Sequence, residues 1–225
     1  MIAREGLVPV GIAALSAAAV AAYADPAWSI PLWALTAYVL FVFRESAPDI
    51  PNAPLAVLSP GDGEVVEVAE NRDPWLDRNA LRVRVALEGP GIGVLRSPVE
   101  GKVMDYWTSA HRFDAPGTPR PTRGSSRGSP RCYSAWVQTD EGDDVVFAVS
   151  SLHRISRFKL YSAPGERIGF GQRMGFIYFG SVVDVYVPAG SRRKVASGNA
   201  AHAGSSVLAE LARGASSAAD TGQAG

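Results

Sequence analysis

The chain has 225 residues, enough for one soluble domain with accessories or for two small domains. Its 22 basic and 22 acidic side chains cancel, so bulk charge gives no sign of a polyanion-binding protein, and no nucleic-acid partner is expected. The single cysteine, Cys132, excludes an internal disulfide and a zinc cage of several thiolates, and it fits a reducing compartment.

Residues 7–24, LVPVGIAALSAAAVAAYA, carry no charge, and residues 27–43, AWSIPLWALTAYVLFVF, carry none either. Runs of about eighteen apolar residues are long enough to be considered as spanning helices. Residues 1–45 are therefore expected to form a membrane anchor, two apolar helices joined by the Asp25-Pro26 turn. Arg4 and Arg44 flank the pair and place both ends on the cytoplasmic side of the inner membrane, with the rest of the chain. Tyr23, Trp28 and Trp33 cluster near the turn, where interfacial aromatics belong. A cleaved signal peptide fits poorly, because apolar sequence continues past any cleavage point and the start is only weakly basic. A buried core hairpin and a shallow re-entrant anchor are the competing forms.

From Ser59 the texture changes. EVVEVAE, LRVRVAL, YSAWVQT, DVVFAVSS and GFIYFG are short, rich in Val and aromatics, and partly alternating, as half-buried strands are. Turn signals such as PGDG, GPGIG, DEGDD and APGE separate them. The expected fold class for residues 46–213 is mainly β, a compact sandwich or small barrel with hammerhead-like hairpins. The segments beginning APGERIGFGQ and VPAGSRRKVASGNAAHAGSS share a cadence of turn glycines, too loose in sequence to count as a repeat. Residues 114–131, DAPGTPRPTRGSSRGSPR, lack apolar side chains and are expected to be a mobile loop. Arg120, Arg123, Arg127 and Arg131 in it suit anionic headgroups or plain solvent equally. Residues 214–225 read as a disordered tail.

SPGDGEV at residues 59–65 and RSPVEGKV at 96–103 are two turns of one style, each opening a strand. An Asp in such a turn usually bonds its own backbone. In MGFIYFGSVVDVYVP, residues 174–188, a Gly-Ser pair stands between two strand-like runs. Either a bulged strand or a reactive backbone bond would account for it.

The order of these pieces, IAREG, an apolar hairpin, FVFRE, SPGDGEV, SPVEGKV and GFIYFGSVVDVYVP, resembles the short, membrane-anchored phosphatidylserine decarboxylase family from end to end. The resemblance implies that the Ser181 hydroxyl attacks the carbonyl of Gly180 and that elimination and hydrolysis leave a pyruvoyl group at residue 181. Residues 1–180 and 181–225 would then be a large and a small chain that stay associated. The pyruvoyl ketone, a cofactor made from the chain itself, would act as electron sink while phosphatidylserine in a phospholipid membrane loses carbon dioxide and becomes phosphatidylethanolamine. Asp62 matches the family's acidic position, orienting or polarising the base that activates the hydroxyl.

Two departures from the family pattern stand out. Where the family carries a histidine before its second turn, in a segment resembling NVHVNRAPV, this chain reads GIGVLRSPV, with Gly93 at the histidine's place; its FRDP motif is FRES at residues 43–46. Of the histidines present, His111 borders the loop, His202 falls in a turn near the tail, and His153, after a core strand, is the candidate replacement base. Arg96 and Arg154 are phosphate partners by charge alone. The alternative functions are an uncleaved, degenerate relative serving as a membrane-bound binding or regulatory protein, and a biotinyl- or lipoyl-like carrier. A carrier needs a lysine at a hairpin tip, and Lys102, Lys159 and Lys194 sit in no such motif.

Overall fold

The computed structural model of the chain describes residues 7–23, 26–42, 48–87, 92–109, 122–123, 132–151, 158–178 and 181–212. They belong to two compact units, Met1–Ala47 and Pro48–Gly225. The first holds helix α1 (Leu7–Tyr23), a 3-10 turn at Pro26–Ser29, and helix α2 (Ile30–Val42). At 1.5 Å per residue α1 is about 25 Å long and α2 about 20 Å, against about 30 Å of bilayer hydrocarbon. Among the described residues no helix is long and apolar enough to cross a membrane. The expected pair of spanning helices is therefore not shown by the described residues; a 3-10 turn at Pro26–Ser29 precedes α2.

The second unit is built from short strands: β1 (Ala56–Leu58), β2 (Gly63–Asp73), β3 (Arg78–Leu87), β4 (Ile92–Arg96), β5 (Gly101–Ser109), β6 (Thr122–Arg123), β7 (Cys132–Gln138) and β8 (Asp144–Ser151). They are followed by β9 (Phe158–Leu160), β10 (Arg167–Ile168), β11 (Arg173–Tyr178), β12 (Ser181–Pro188), β13 (Arg192–Arg193), β14 (Ala200–Ala201) and β15 (Val207–Glu210). The main sheet runs β10-β5-β7-β8-β12-β3-β2-β14, with β6 beside β5. It curls into a half-barrel. Two three-stranded sheets, β1-β15-β13 and β4-β11-β9, complete the unit. The fold is thus mainly β, as the strand texture predicts. Within the segment expected to be a loop, Thr122 and Arg123 instead pair with Thr108 and Trp107 of β5. The rest of 114–131 and all of 214–225 lie outside the described residues.

Alternation decides which side chains meet. Val183, Val185 and Val187 of β12, Leu81, Val83 and Val85 of β3, and Val145, Phe147 and Val149 of β8 share one buried core. Leu95 of β4, Met174 and Ile177 of β11 and Leu208 of β15 join it, so all three sheets cover the same interior. Each fully buried Val is worth about 1.5–3 kcal/mol relative to exposure. The intervening side chains of the same strands form the other face, where Tyr186, Val146 and Ala80 pack with Trp75 and Trp136.

A two-fold repeat organises the turns. Ser59 Oγ donates to the Gly61 carbonyl at 2.7 Å and Ser97 Oγ to the Val99 carbonyl at 2.6 Å. The two turns exchange backbone bonds, Leu58 N–H to Pro98 O and Arg96 N–H to Pro60 O, both 2.8 Å. Gly204 N–H reaches Ser59 O as Gly171 N–H reaches Ser97 O, and Gly198 N–H reaches Val65 O as Gly165 N–H reaches Val103 O. The four glycines of this set all have positive φ. A Cβ on Gly63 would collide with the Ala86 carbonyl oxygen, and one on Gly101 with that of Gln138. The shared glycine cadence is therefore a structural repeat after all. Its sequence trace is thin because backbone bonds, rather than side chains, carry it.

Candidate active site

The stretch around the Gly-Ser pair is two strands in two sheets. β11 pairs with β4 and β9, while β12 pairs with β8 and β3 in the main sheet. The chain changes sheets between Tyr178 and Ser181, so the pair falls at the crossing. Gly180, named as the cleavage partner, lies outside the described residues, as does His153. Ser181 is the first residue of β12 and is 1% exposed. It sits opposite Ser151 of β8, and the β12–β3 register begins one residue later, at Val182 and Ala86. A strand held on both sides fixes its first residue closely, which suits a hydroxyl that must meet a neighbouring carbonyl.

Three residues on, Asp184 anchors this strand. Its carboxylate accepts two bonds from the directly opposed Arg84, from Nε at 2.6 Å and Nη2 at 2.9 Å. The fork is bidentate and the Asp184 side chain only 5% exposed. Next along the same face, burial pushes the Tyr186 phenol well above its ordinary pKa, reinforced by the Asp184 charge.

Asp62 belongs to the same end of the sheet. Gly63 pairs with Leu87 and with Ala201, and the next step of the β12–β3 register brings Ser181 beside Leu87. At about 4.8 Å per strand, the Asp62–Gly63 turn stands about 10 Å from Ser181. The Asp62 side chain is 70% exposed and does not bond its own turn. Its Oδ1 accepts the Ala203 N–H at 2.9 Å and faces His202 Nδ1 at 3.8 Å. Sequence reasoning placed His202 in a turn, which it occupies, but missed this partnership. The signal was present in the cadence: set Gly165 on Gly198 and Gly171 on Gly204, and His202 falls on Gly169 across from the Asp62 turn.

Gly93, at the family histidine's place, lies on β4 opposite Ile177 of β11. Among the described residues a Cβ there would meet nothing nearer than Ile177 Cγ2 at 4.0 Å. Arg96 donates to the Gly171 carbonyl at 3.2 Å, a structural bond within the repeat, while Arg154 lies outside the described residues. For the carrier alternative, Lys194 is paired with Glu210 at 2.6 Å and Lys102 follows the close-packed Gly101 in β5. Among the described residues there is no cluster of metal-binding side chains.

Comparison with known proteins follows this geometry. The family profile described as phosphatidylserine decarboxylase matches residues 35–209. A phosphatidylserine decarboxylase proenzyme of Aromatoleum aromaticum is 36% identical over 211 residues, 94% of this chain and 96% of that protein. One from Burkholderia vietnamiensis is 37% identical over 214 residues, with the same shares covered. One from Nitrosomonas europaea is 36% identical over 174 residues, 77% of this chain and 78% of its own. No solved structure matches.

Proposed function

The chain belongs to the phosphatidylserine decarboxylase family, and from that premise we infer that it is a pyruvoyl-dependent carboxy-lyase converting phosphatidylserine to phosphatidylethanolamine. It is made as a proenzyme that matures by cutting itself, and we assign the cut to the bond between Gly180 and Ser181. The observation that carries this assignment is Ser181 itself, a buried hydroxyl on the first residue of a strand fixed on both sides.

The steps follow from the residues. A base takes the Ser181 hydroxyl proton and Oγ attacks the Gly180 carbonyl carbon, so the amide becomes an ester and the Ser181 nitrogen becomes an amine. Loss of the Ser181 α-proton expels the ester oxygen as the Gly180 carboxylate and leaves a dehydroalanine. Water then replaces nitrogen, ammonia departs, and a ketone remains at the start of β12. Gly180, lacking Cβ, leaves its carbonyl open to the attack. Only a β-hydroxyl can both attack and be eliminated. Asp62 is the acidic group that assists, and at two strands from Ser181 it acts through an intervening base rather than on the hydroxyl itself. His153 stays the candidate for that base. The pyruvoyl group, once formed, supplies a sink for the electron pair released with carbon dioxide.

Both strand ladders of β12 support continued association of the two chains after the cut. We further propose that the first unit attaches the enzyme to the cytoplasmic face of the inner membrane, so that the lipid is met in its own plane. Ile12, Leu15, Trp28, Trp33 and Phe41 are all exposed on its helices, an apolar surface suited to lipid, and helices of this length suit a shallow seat. Gly93 in the family histidine's place is the one feature that points to the uncleaved, degenerate alternative, and the match to named decarboxylase proenzymes over most of the chain outweighs it.

Intact-mass measurement of purified protein tests the assignment. Two chains meeting at 180 and 181, the smaller with a ketone at its start, are expected, and Ser181→Ala should give one chain without activity. A single full-length wild-type species would overturn the assignment, and activity in Ser181→Ala would overturn the mechanism.

A further inference from the structure

We propose that His202 is a positioning residue that orients the Asp62 carboxylate for maturation and turnover at Ser181. The inference rests on the decarboxylase reading and on Asp62 acting in it. Four observations lead to it.

First, His202 Nδ1 faces Asp62 Oδ1 at 3.8 Å, while the next residue, Ala203, donates its N–H to that oxygen at 2.9 Å. One short segment thus holds the carboxylate by a backbone donor and sets an imidazole facing it. Second, that segment is itself fixed. His202 N–H donates to Ser206 Oγ at 2.9 Å, Ser59 N–H donates to Ser206 O at 2.8 Å, and Gly204 N–H to Ser59 O at 2.9 Å. The turn carrying His202 and the turn carrying Asp62 move as one.

Third, the fold does not need the imidazole. In the other copy of the repeat the equivalent residue is Gly169, whose N–H donates to Gln172 Oε1 at 2.7 Å as the His202 N–H does to Ser206. The turn closes equally well without a side chain there, so the histidine at 202 calls for another explanation. Among the described residues, the contact that distinguishes it is the one with Asp62. Fourth, Gly93 stands where the family pattern carries an imidazole, and His202 is the one histidine among the described residues.

His202 does not act on the hydroxyl directly. Ala201 pairs with Gly63, Gly63 with Leu87, and Leu87 stands next to Ser181. Three strand spacings, about 14 Å, separate the His202 end from the β12 row. The effect passes through Asp62. After the cut the two residues belong to different chains, Asp62 to 1–180 and His202 to 181–225, so the small chain would keep hold of the large chain's carboxylate.

The test is a double-mutant cycle on the rate of self-cleavage in pulse-labelled, freshly translated full-length chain. His202→Ala should slow splitting about threefold, the scale of losing one weak exposed polar contact. His202→Asn, whose shorter side chain offers an amide N–H toward the same carboxylate, should restore most of the rate. In an Asp62→Asn background His202→Ala should have no further effect, because its route is already broken. Equal slowing by His202→Ala in both backgrounds would overturn the proposal in favour of a general structural role, and so would a His202→Ala chain that fails to fold. An unchanged rate for His202→Ala in a wild-type chain that splits normally would refute His202 alone. A wild-type chain that never splits would refute the decarboxylase reading, and this proposal with it.

Discussion

Replacing Asp184 by Ala should destabilise the β unit by about 3 kcal/mol, because it leaves the Arg84 guanidinium without the carboxylate it grips. The magnitude follows from the site. The Asp184 side chain is 5% exposed and that of Arg84 is 18% exposed, so the pair is mostly desolvated but the arginine keeps some water. Removing one member of a buried pair costs about 3–5 kcal/mol, and residual hydration of Arg84 places this case at the lower end. In a domain of this size each kcal/mol lowers the unfolding midpoint by about 2–4 °C, so a fall of about 6–12 °C is expected. The measurement belongs in a Ser181→Ala background, where the chain stays whole and unfolding can be reversed. Guanidinium titrations of Arg84→Ala, Asp184→Ala and the double variant complete it, the double costing less than the sum of the singles. A loss below about 1 kcal/mol for Asp184→Ala would refute the reasoning, since that is the scale of a solvent-exposed pair.

Two further outcomes are expected. Gly93→His should be accommodated, because the space beyond its α-carbon is open to Ile177 at 4.0 Å, and should speed self-cleavage with the thermal midpoint held or raised; slower cleavage in a folded protein would show that this position does not face the reacting bond. Asp143→Asn should raise stability at neutral pH. Burial, then Glu141 and Asp144, push the Asp143 carboxyl above its ordinary pKa, so its ionised form is penalised in the fold. That penalty is absent below the unfolded value and appears as pH rises through the raised folded value. The gain in thermal midpoint should therefore vanish on acidification, and a gain that persists in acid would contradict the assignment.

The strands were legible because one face of each repeats at every second residue: Val183, Val185 and Val187 mark β12 without any structural knowledge. The motif glycines were legible too, since Gly63 and Gly101 sit where only backbone fits. What escaped sequence reasoning depended on distance along the chain. Asp62 and His202 are 140 residues apart and meet only because two backbone turns interlock. The change of sheet between β11 and β12 leaves no periodic signature, since both strands alternate alike. Helix length escaped for a local reason: apolar residues resume directly after Asp25, so composition alone does not show that Pro26–Ser29 forms a 3-10 turn ahead of α2.

β12 lies inside the main sheet, with β8 on one side and β3 on the other. A cut at its first residue, as proposed, would therefore leave a piece that was threaded into place by a continuous chain and could not easily find its way back. The finished enzyme would be assembled once. Warming that opens the sheet would separate two polypeptides whose native pairing depended on a linkage that no longer exists, so working life becomes a question of how slowly the sheet opens rather than of how favourable closing is. Each molecule would carry the record of its folding in a form it cannot repeat, and new activity would have to come from newly made protein.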